Sequence, residues 1–338
     1  MKTCLITGIS GFVGSHLAEH ILTEHPDWRV AGTIRWRSRH DNIEHLEDKI
    51  DLYECDLRDP SAVERVVNEV KPERVFGLAA QSHVPTSWIA PKETIDNNVM
   101  SQLNLLEAIR QNGIKRFVYA SSSSVYGIKE KSDVLEEDSC EPLTDYSKYK
   151  MMCEDELRRA GLDDLCTWII LRPATVCGYG SRLRLDLTVN ILTIHALVNR
   201  RIRVFGGSQR RPNLHIQDMA EVYQVLLESP AEKIHRQVFN AGYQNLAVSA
   251  IADIVKQEVG QDCEIVVEPS DDPRSYHVNS DKIARVLGFK ARHTIQDAVR
   301  GIAEAYQAGK IQNPLHNPLY FNIKRMKDIK LEQTVSHA

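Results

Sequence analysis

Short β-branched runs alternate with longer amphipathic stretches through the first half of the chain. "KTCLITG" predicts a strand and "GSHLAEHILTEH" a helix. "RVAGTIR" and "IDLYECD" predict two more strands, and "PSAVERVVNEV" the helix that follows them. "RVFGLAA" and "RFVYASS" read as strands separated by one long helical stretch, "PKETIDNNVMSQLNLLEAIRQNG". The helix "YSKYKMMCEDELRRAG" leads to a further strand, "TWIILRPATV". Such alternation predicts an α/β fold, a doubly wound parallel sheet with helices on both faces.

Beyond Val176 the pattern loosens. "CGYGSRLRLDL" has the glycines and charges of a loop. "VNILTIHALVNR", "SAIADIVKQEVG" and "SDKIARVLG" predict helices, and "IRVFGG" and "CEIVVEP" short strands. The expected division is a nucleotide-binding domain over 1–176, with 212–240 returning to it. A smaller C-terminal α/β substrate-binding domain takes 177–211 and 241–309, and 310–338 form an extension. That extension has little periodicity, and packing on the body, a subunit contact and disorder all remain open for it.

Composition narrows the class. With 338 residues, 42% hydrophobic and 26% charged, the chain is an ordinary globular protein. A net charge of −4 gives no support to nucleic-acid binding. The start "MKTCLITG" enters a strand at once, and no apolar run nears the roughly 20 residues of a membrane span. Seven scattered cysteines without a C-x-x-C pair read as reduced thiols of a cytoplasmic protein. His83 and His215 lack metal-ligand spacing and read as structural histidines.

Chemistry concentrates in three places. "ITGISGFVG" supplies Gly8, Gly11 and Gly14 where the first strand meets the first helix. Glycines there permit a tight turn and let backbone N–H groups approach a pyrophosphate at the helix N-terminus. The second strand ends "GTIRWRSRH", with no acid to bond a ribose 2′-hydroxyl. Arg35, Arg37 and Arg39, with Ser38 between them, suit a 2′-phosphate, so NADP is expected, with NAD the alternative. Arg37 and Arg39 also read as a solvated loop. Asp56, ending the third strand, is placed for the adenine amino group or as a helix cap. Finally, "TDYSKYK" puts Tyr146 and Lys150 at i and i+4 on one helix face, where an ammonium lowers a phenol's pKa. The serine-ended strand "FVYASSSSVYG" precedes them and offers a hydroxyl for a substrate oxygen.

Glycine loop, serine-ended strand and Y-x-x-x-K, in that order, resemble the extended short-chain dehydrogenase/reductases of the nucleotide-sugar epimerase/dehydratase group. "TGISGFVG", "CDLRD", "LAAQSHV", "NNVMSQLNLLEA", "LRPATVCG", "RRPNLHIQDMAE" and "NAG" extend the likeness over roughly 1–305. "TIRWRS", "VKPERVF" and "AAQSHVPTSW" are most similar to the GDP-mannose 4,6-dehydratase and GDP-4-keto-6-deoxymannose reductase branch. Pro212 and Gln217 stand where the family usually has acids, and Ser101 where it has glycine.

The resemblance implies a Rossmann-type fold with Ser122, Tyr146 and Lys150 as catalytic residues. It implies further cofactor contacts at Ser10, Phe12 and Val13 in the glycine loop, and at Leu57, Leu78, Ala79, Ala80, Ala120, Pro173 and Thr175. Substrate contacts are implied at Gln81, Ser82, Val84, Ser122 and Ser123. Farther along they are implied at Asp186, Asn190, Phe205, Arg211 and Arg274. Structural ion pairs are the alternative for the two arginines, and the core for Phe205. The family's dehydratases carry carboxylates directly after the catalytic hydroxyl. Here those positions are Ser123 and Ser124, and a serine hydroxyl is no general base near neutral pH. The expected activity is therefore C4 epimerisation of a nucleotide-diphosphate sugar through a 4-keto intermediate. An NADPH-dependent 4-keto sugar reductase is the close rival, and a non-catalytic NADP-binding sensor a remote one. A homodimer through 98–111 and 146–159 is the family expectation.

Overall fold

The computed structural model describes residues 2–129, 131, 133–270, 275 and 277–322. β1 (Thr3–Thr7) leads through the glycine turn into α1 (Phe12–Glu24). β2 (Arg29–Ile34), β3 (Asp51–Glu54), α2 (Pro60–Val70) and β4 (Arg74–Gly77) follow. Then come α3 (Val84–Ile89), α4 (Pro91–Ile95), α5 (Ser101–Gln111) and β5 (Arg116–Ala120). α6 (Asp145–Arg159) precedes β6 (Thr167–Pro173), β7 (Thr175–Cys177) and α7 (Thr188–Asn199). The rest comprises β8 (Arg201–Phe205), β9 (Arg210–His215), α8 (Ile216–Glu228), α9 (Ala231–Ile234) and β10 (Gln237–Ala241). β11 (Gln244–Ala247), α10 (Val248–Val259), β12 (Glu264–Glu268), α11 (Asp281–Leu287) and α12 (Ile295–Gln307) complete the strands and α-helices among the described residues.

Among the described residues seven strands form one parallel sheet in the order β10-β6-β5-β4-β1-β2-β3. The order reverses between β1 and β4, and in doubly wound sheets that switch point is where a ligand sits. One apolar layer, including Ile6, Leu17, Phe76 and Phe239, joins the sheet to α1 and α8. A second, including Leu5, Val67, Phe117 and Leu157, joins it to α2, α5 and α6. Burial on both faces explains why the central strands read as continuous apolar runs. A separate core of Val189, Ile202, Ile251 and Val299 holds α7, α10 and α12 against the β8–β12 pair.

Two predicted elements are divided. "TWIILRPATV" is two strands: β6 ends at Pro173, the Ala174 N–H turns to Ala241 O (2.7 Å), and β7 joins β9 in a second sheet. The stretch predicted as one helix over 91–113 contains a π turn, Asp96–Met100, between α4 and α5. Such a bulge inserts a residue while leaving the apolar spacing on either side intact.

Candidate functional site

The cofactor end is assembled at the carboxyl edge of β1 and β4. Thr7 Oγ donates to Phe76 O (3.0 Å) and accepts from the N–H groups of Leu78 (3.0 Å) and Ala79 (3.1 Å), stapling the two strand ends together. Gly8 has φ of +68°, and a Cβ there would stand 3.1 Å from Ala79 Cα. At Gly14 a Cβ would meet Gly8 O at 2.5 Å. The turn therefore admits no side chain at these positions, and α1 lies directly on it. Gly11 caps α1 without a side-chain bond, which leaves first-turn N–H groups for an anionic ligand. These features fit a dinucleotide pyrophosphate beside Ser10, Gly11, Phe12 and Val13.

The three arginines after β2 have different surroundings. Arg39 forks onto Asp41 (2.6 and 2.7 Å), and Arg37 lies over the exposed Trp36 ring, 4.3 Å from its centroid. Arg35 and Ser38 form a tight turn, Arg35 N–H to Ser38 Oγ (2.9 Å) and Ser38 N–H to Arg35 O (2.7 Å). The Arg35 guanidinium reaches Asn97 Oδ1 (3.0 Å). This turn presents one guanidinium and one hydroxyl, the groups a 2′-phosphate needs. Asp56 is not the cap of α2. Asp59 is, accepting from Ser61 N–H (2.9 Å). Asp56 instead receives the Arg58 fork (2.6 Å at Nη2), which holds its carboxyl below the usual range. Leu57 is buried, its carbonyl held by Asn104 (2.9 Å).

The catalytic candidates meet at the end of β5. Lys150 is 3% exposed and donates to Ala120 O at 2.6 Å. Its ammonium lies 4.9 Å from the Tyr119 ring centroid and 5.9 Å from that of Tyr146. Burial pushes the Lys150 pKa down to about 8. α6 is fixed where it begins by a capping box, Thr144 with Ser147, and the Tyr146 N–H donates to Ser87 Oγ (3.3 Å).

The four serines occupy four environments. Ser121 Oγ bonds Glu154 (2.5 Å), whose carboxylate is buried in a fork with Arg172 (2.9 and 2.7 Å). Ser122 Oγ accepts from Ser124 N–H (3.2 Å) and lies 2.9 Å from Ser124 Oγ. Ser123 is buried, and its hydroxyl has no hydrogen-bond partner among the described residues.

Among the residues expected to contact substrate, Gln81 is clipped at both backbone groups by Asn98: its N–H donates to Asn98 Oδ1 (2.7 Å) and its C=O accepts from Asn98 Nδ2 (3.1 Å). Asn98 sits in the π turn and is buried there. Val84 opens α3 directly after the His83 cap. Ser82 Oγ accepts from Arg184 (3.3 Å), and Arg184 forks onto Asp186 (2.7 and 2.5 Å). Burial is the largest single influence on Asp186 and favours the neutral acid, but the charge and hydrogen bond of Arg184, with smaller contributions, together outweigh it and hold the carboxyl below the usual range. Asn190 is fully buried, with its amide bonded to both the N–H (3.0 Å) and C=O (3.1 Å) of Gly178. Arg211 is buried and donates to Arg210 O (3.0 Å). Phe205 is half-exposed rather than core, with Arg203 over its ring. Pro173 and Thr175 flank the β6–β7 break, and Leu78 through Ala80 continue from β4. Arg274 lies outside the described residues. His215 caps α8 and stacks on His293, and among the described residues no group of three His, Cys, Asp or Glu could hold a metal.

Sequence reasoning missed Arg184 and Asn98. Both lay within quoted stretches, but only their folded contacts distinguish them from ordinary loop and helix residues.

Known proteins share this fold. A UDP-glucose 4-epimerase of Lactobacillus helveticus is 28% identical over 324 residues, 90% of this chain and 96% of that protein. A GDP-mannose 4,6-dehydratase of Yersinia enterocolitica is 37% identical over 163 residues, 45% of this chain and 43% of that one. The solved UDP-glucose 4-epimerase of Thermotoga maritima, with UDP-glucose, superposes with a TM-score of 0.82 at 24% identity, covering 91% of this chain and 99% of that one. A family model matches residues 4–242, and with the glycine turn, the strand-order switch between β1 and β4 and the extended short-chain dehydrogenase/reductase fold in place, the chain belongs to the NAD-dependent epimerase/dehydratase family.

Proposed function

We propose that the protein is a C4 epimerase of a nucleotide-diphosphate sugar, acting through a transient 4-keto intermediate. The observation that carries this reading is the Ser122–Ser124 hydrogen bond (2.9 Å). A hydroxyl occupies the place where a dehydratase of this family needs a carboxylate, and Ser123 beside it is buried. Neither serine is a base for C5 near neutral pH.

Each residue then has one task. Ser122 holds the C4 oxygen. Tyr146 takes the C4 hydroxyl proton and later returns it to the opposite configuration. Lys150, charged below pH of about 8, stabilises the phenolate that results. Gln81, Ser82 and the Arg184–Asp186 pair border the sugar, while Arg211 and Phe205 face the nucleotide. A dinucleotide held by its pyrophosphate at the glycine turn would supply, through its nicotinamide ring, the hydride acceptor and donor for C4. Arg35 and Ser38 support NADP over NAD. A cytoplasmic homodimer through α5 and α6 is the expected setting.

A substrate deuterated at C4 tests this. An epimerase returns a product of inverted C4 that keeps the deuterium, with no net cofactor consumption; loss of the label to water would refute the route. The Arg35–Ser38 turn favours one second reading, a 4-keto sugar reductase drawing on NADPH. It predicts stoichiometric NADPH loss with a 4-keto-6-deoxy sugar.

A further inference from the structure

The segment after α12 returns across the substrate side of the molecule. Ile311 and Tyr320 bury beside Leu183, Leu185, Ile194 and Ile302. Backbone and side-chain bonds then lock this segment to the loop that carries Arg184. Leu185 N–H donates to Tyr320 O (2.9 Å), and Arg182 Nε donates to Leu319 O (3.1 Å).

Asn322 closes the arrangement. Its Oδ1 accepts from Arg182 Nη2 (2.9 Å), and its Nδ2 donates to Asp186 Oδ2 (3.2 Å). That carboxylate oxygen is the one held by Arg184 Nη2. Only one orientation of the amide works, because an arginine requires an acceptor and a carboxylate a donor. On its other flank the same loop is tied to the glycine turn. Arg182 N–H donates to Asn42 Oδ1 (2.7 Å), and Asn42 Nδ2 donates to Ser10 O (3.1 Å). The chain of bonds runs from the cofactor turn through Asn42, Arg182, Asn322 and Asp186 to Arg184. Arg184 in turn reaches Ser82, and its charge is felt at Tyr146.

We propose that Asn322 is a positioning residue for nucleotide-sugar binding: it bridges Arg182 and Asp186, and so fixes the Arg184 guanidinium on the sugar side of the pocket. This rests on the reading of that pocket as a nucleotide-sugar site. Asn322 touches no reacting atom and holds the side chain of Arg182, whereas the tie to the cofactor turn runs through the Arg182 backbone N–H, so its removal acts on substrate affinity and leaves the cofactor turn alone.

The test compares Asn322→Ala with Asn322→Asp in the full chain. Asp is nearly isosteric but places a carboxylate against Asp186, so Asp should be worse than Ala. Hydrogen–deuterium exchange over 178–187 should quicken in both variants, more in Asp, with the β1–β4 peptides unchanged. Calorimetric titration of UDP-glucose and GDP-mannose into the NADP-loaded protein should show whichever sugar binds weakened about 3-fold by Ala and about 10-fold by Asp. NADP affinity should stay within about twofold. Unchanged exchange and affinity would overturn the proposal, and so would Ala being worse than Asp, the order expected of a packing role. If the wild-type protein binds neither of these, nor the dTDP- and CDP-hexoses titrated in the same way, the substrate class is refuted along with the sugar half of the proposal. The exchange ranking would still judge the bridge itself.

Discussion

Replacing Lys150 by Met should change how stability depends on pH, and the size of the change follows from burial. Lys150 is 3% exposed, and its pKa falls from 10.5 to about 8. In the unfolded chain it returns to about 10.4. Between those values the unfolded chain binds a proton that the native protein does not. Stability therefore rises with pH across about 8 to 10.5 and is lowest, from this group, below 8. From pH 7 to 9.5 the native state has shed its proton over about 1.5 units while the unfolded chain has kept most of its own. At 1.36 kcal/mol per unit that is about 2 kcal/mol. The bond to Ala120 O and the contact with the Tyr119 ring are lost in the Met variant at every pH, so they shift its curve without changing the slope. Urea unfolding of the cofactor-free protein at pH 7, 8 and 9.5 measures this. Wild type should gain about 2 kcal/mol relative to Lys150→Met over that range. Parallel curves would refute the claim that the ammonium is held desolvated at the end of β5.

Tyr146→Phe should lower turnover by at least about 100-fold, the usual loss on removing a general base, with NADP affinity unchanged in calorimetry. Gly14→Ala sets a Cβ 2.5 Å from Gly8 O, so it should abolish cofactor binding and cost about 1–3 kcal/mol in denaturant unfolding. Arg35→Ala should reduce the preference for NADP over NAD by about 10-fold or more in fluorescence titrations; an unchanged ratio would remove Arg35 from 2′-phosphate recognition. Glu154→Gln breaks a buried fork with Arg172 and should destabilise the protein by about 3–5 kcal/mol, read from the same urea curves.

Local rules made part of this fold legible. α2 matches its predicted span, because Val63, Val66, Val67 and Val70 form one stripe and Pro60 follows the Asp59 cap. The glycine turn is equally local, since no residue with a Cβ fits at Gly14. What depended on distant partners could not be read. β9 is "RRPNLH", too polar for a core strand by pattern, yet five of its six residues are buried where it lies between β7 and β11. α12 buries a clear stripe, Ile295, Ala298, Val299 and Ile302, but no strand–helix rhythm around it draws attention to the segment. The loop "CGYGSRLRLDL" looks solvated, and the placement of Arg184 comes from its fork onto Asp186 together with its bond to Ser82, 102 positions earlier in the chain. The serine run is the intermediate case. Its place beyond β5 followed from the pattern, but the division of labour among Ser121, Ser122, Ser123 and Ser124 depends on Glu154 and on the turn that brings Ser124 back to Ser122.

Mass-resolved chromatography of products tests the central claim most directly. The purified protein would be offered GDP-, UDP-, dTDP- and CDP-hexoses and their 4-keto-6-deoxy forms, with and without NADPH. The account predicts a product of unchanged mass and shifted retention, with no cofactor consumed. A product lighter by one water would contradict it, because it would require an acid and base that Ser123 and Ser124 do not provide.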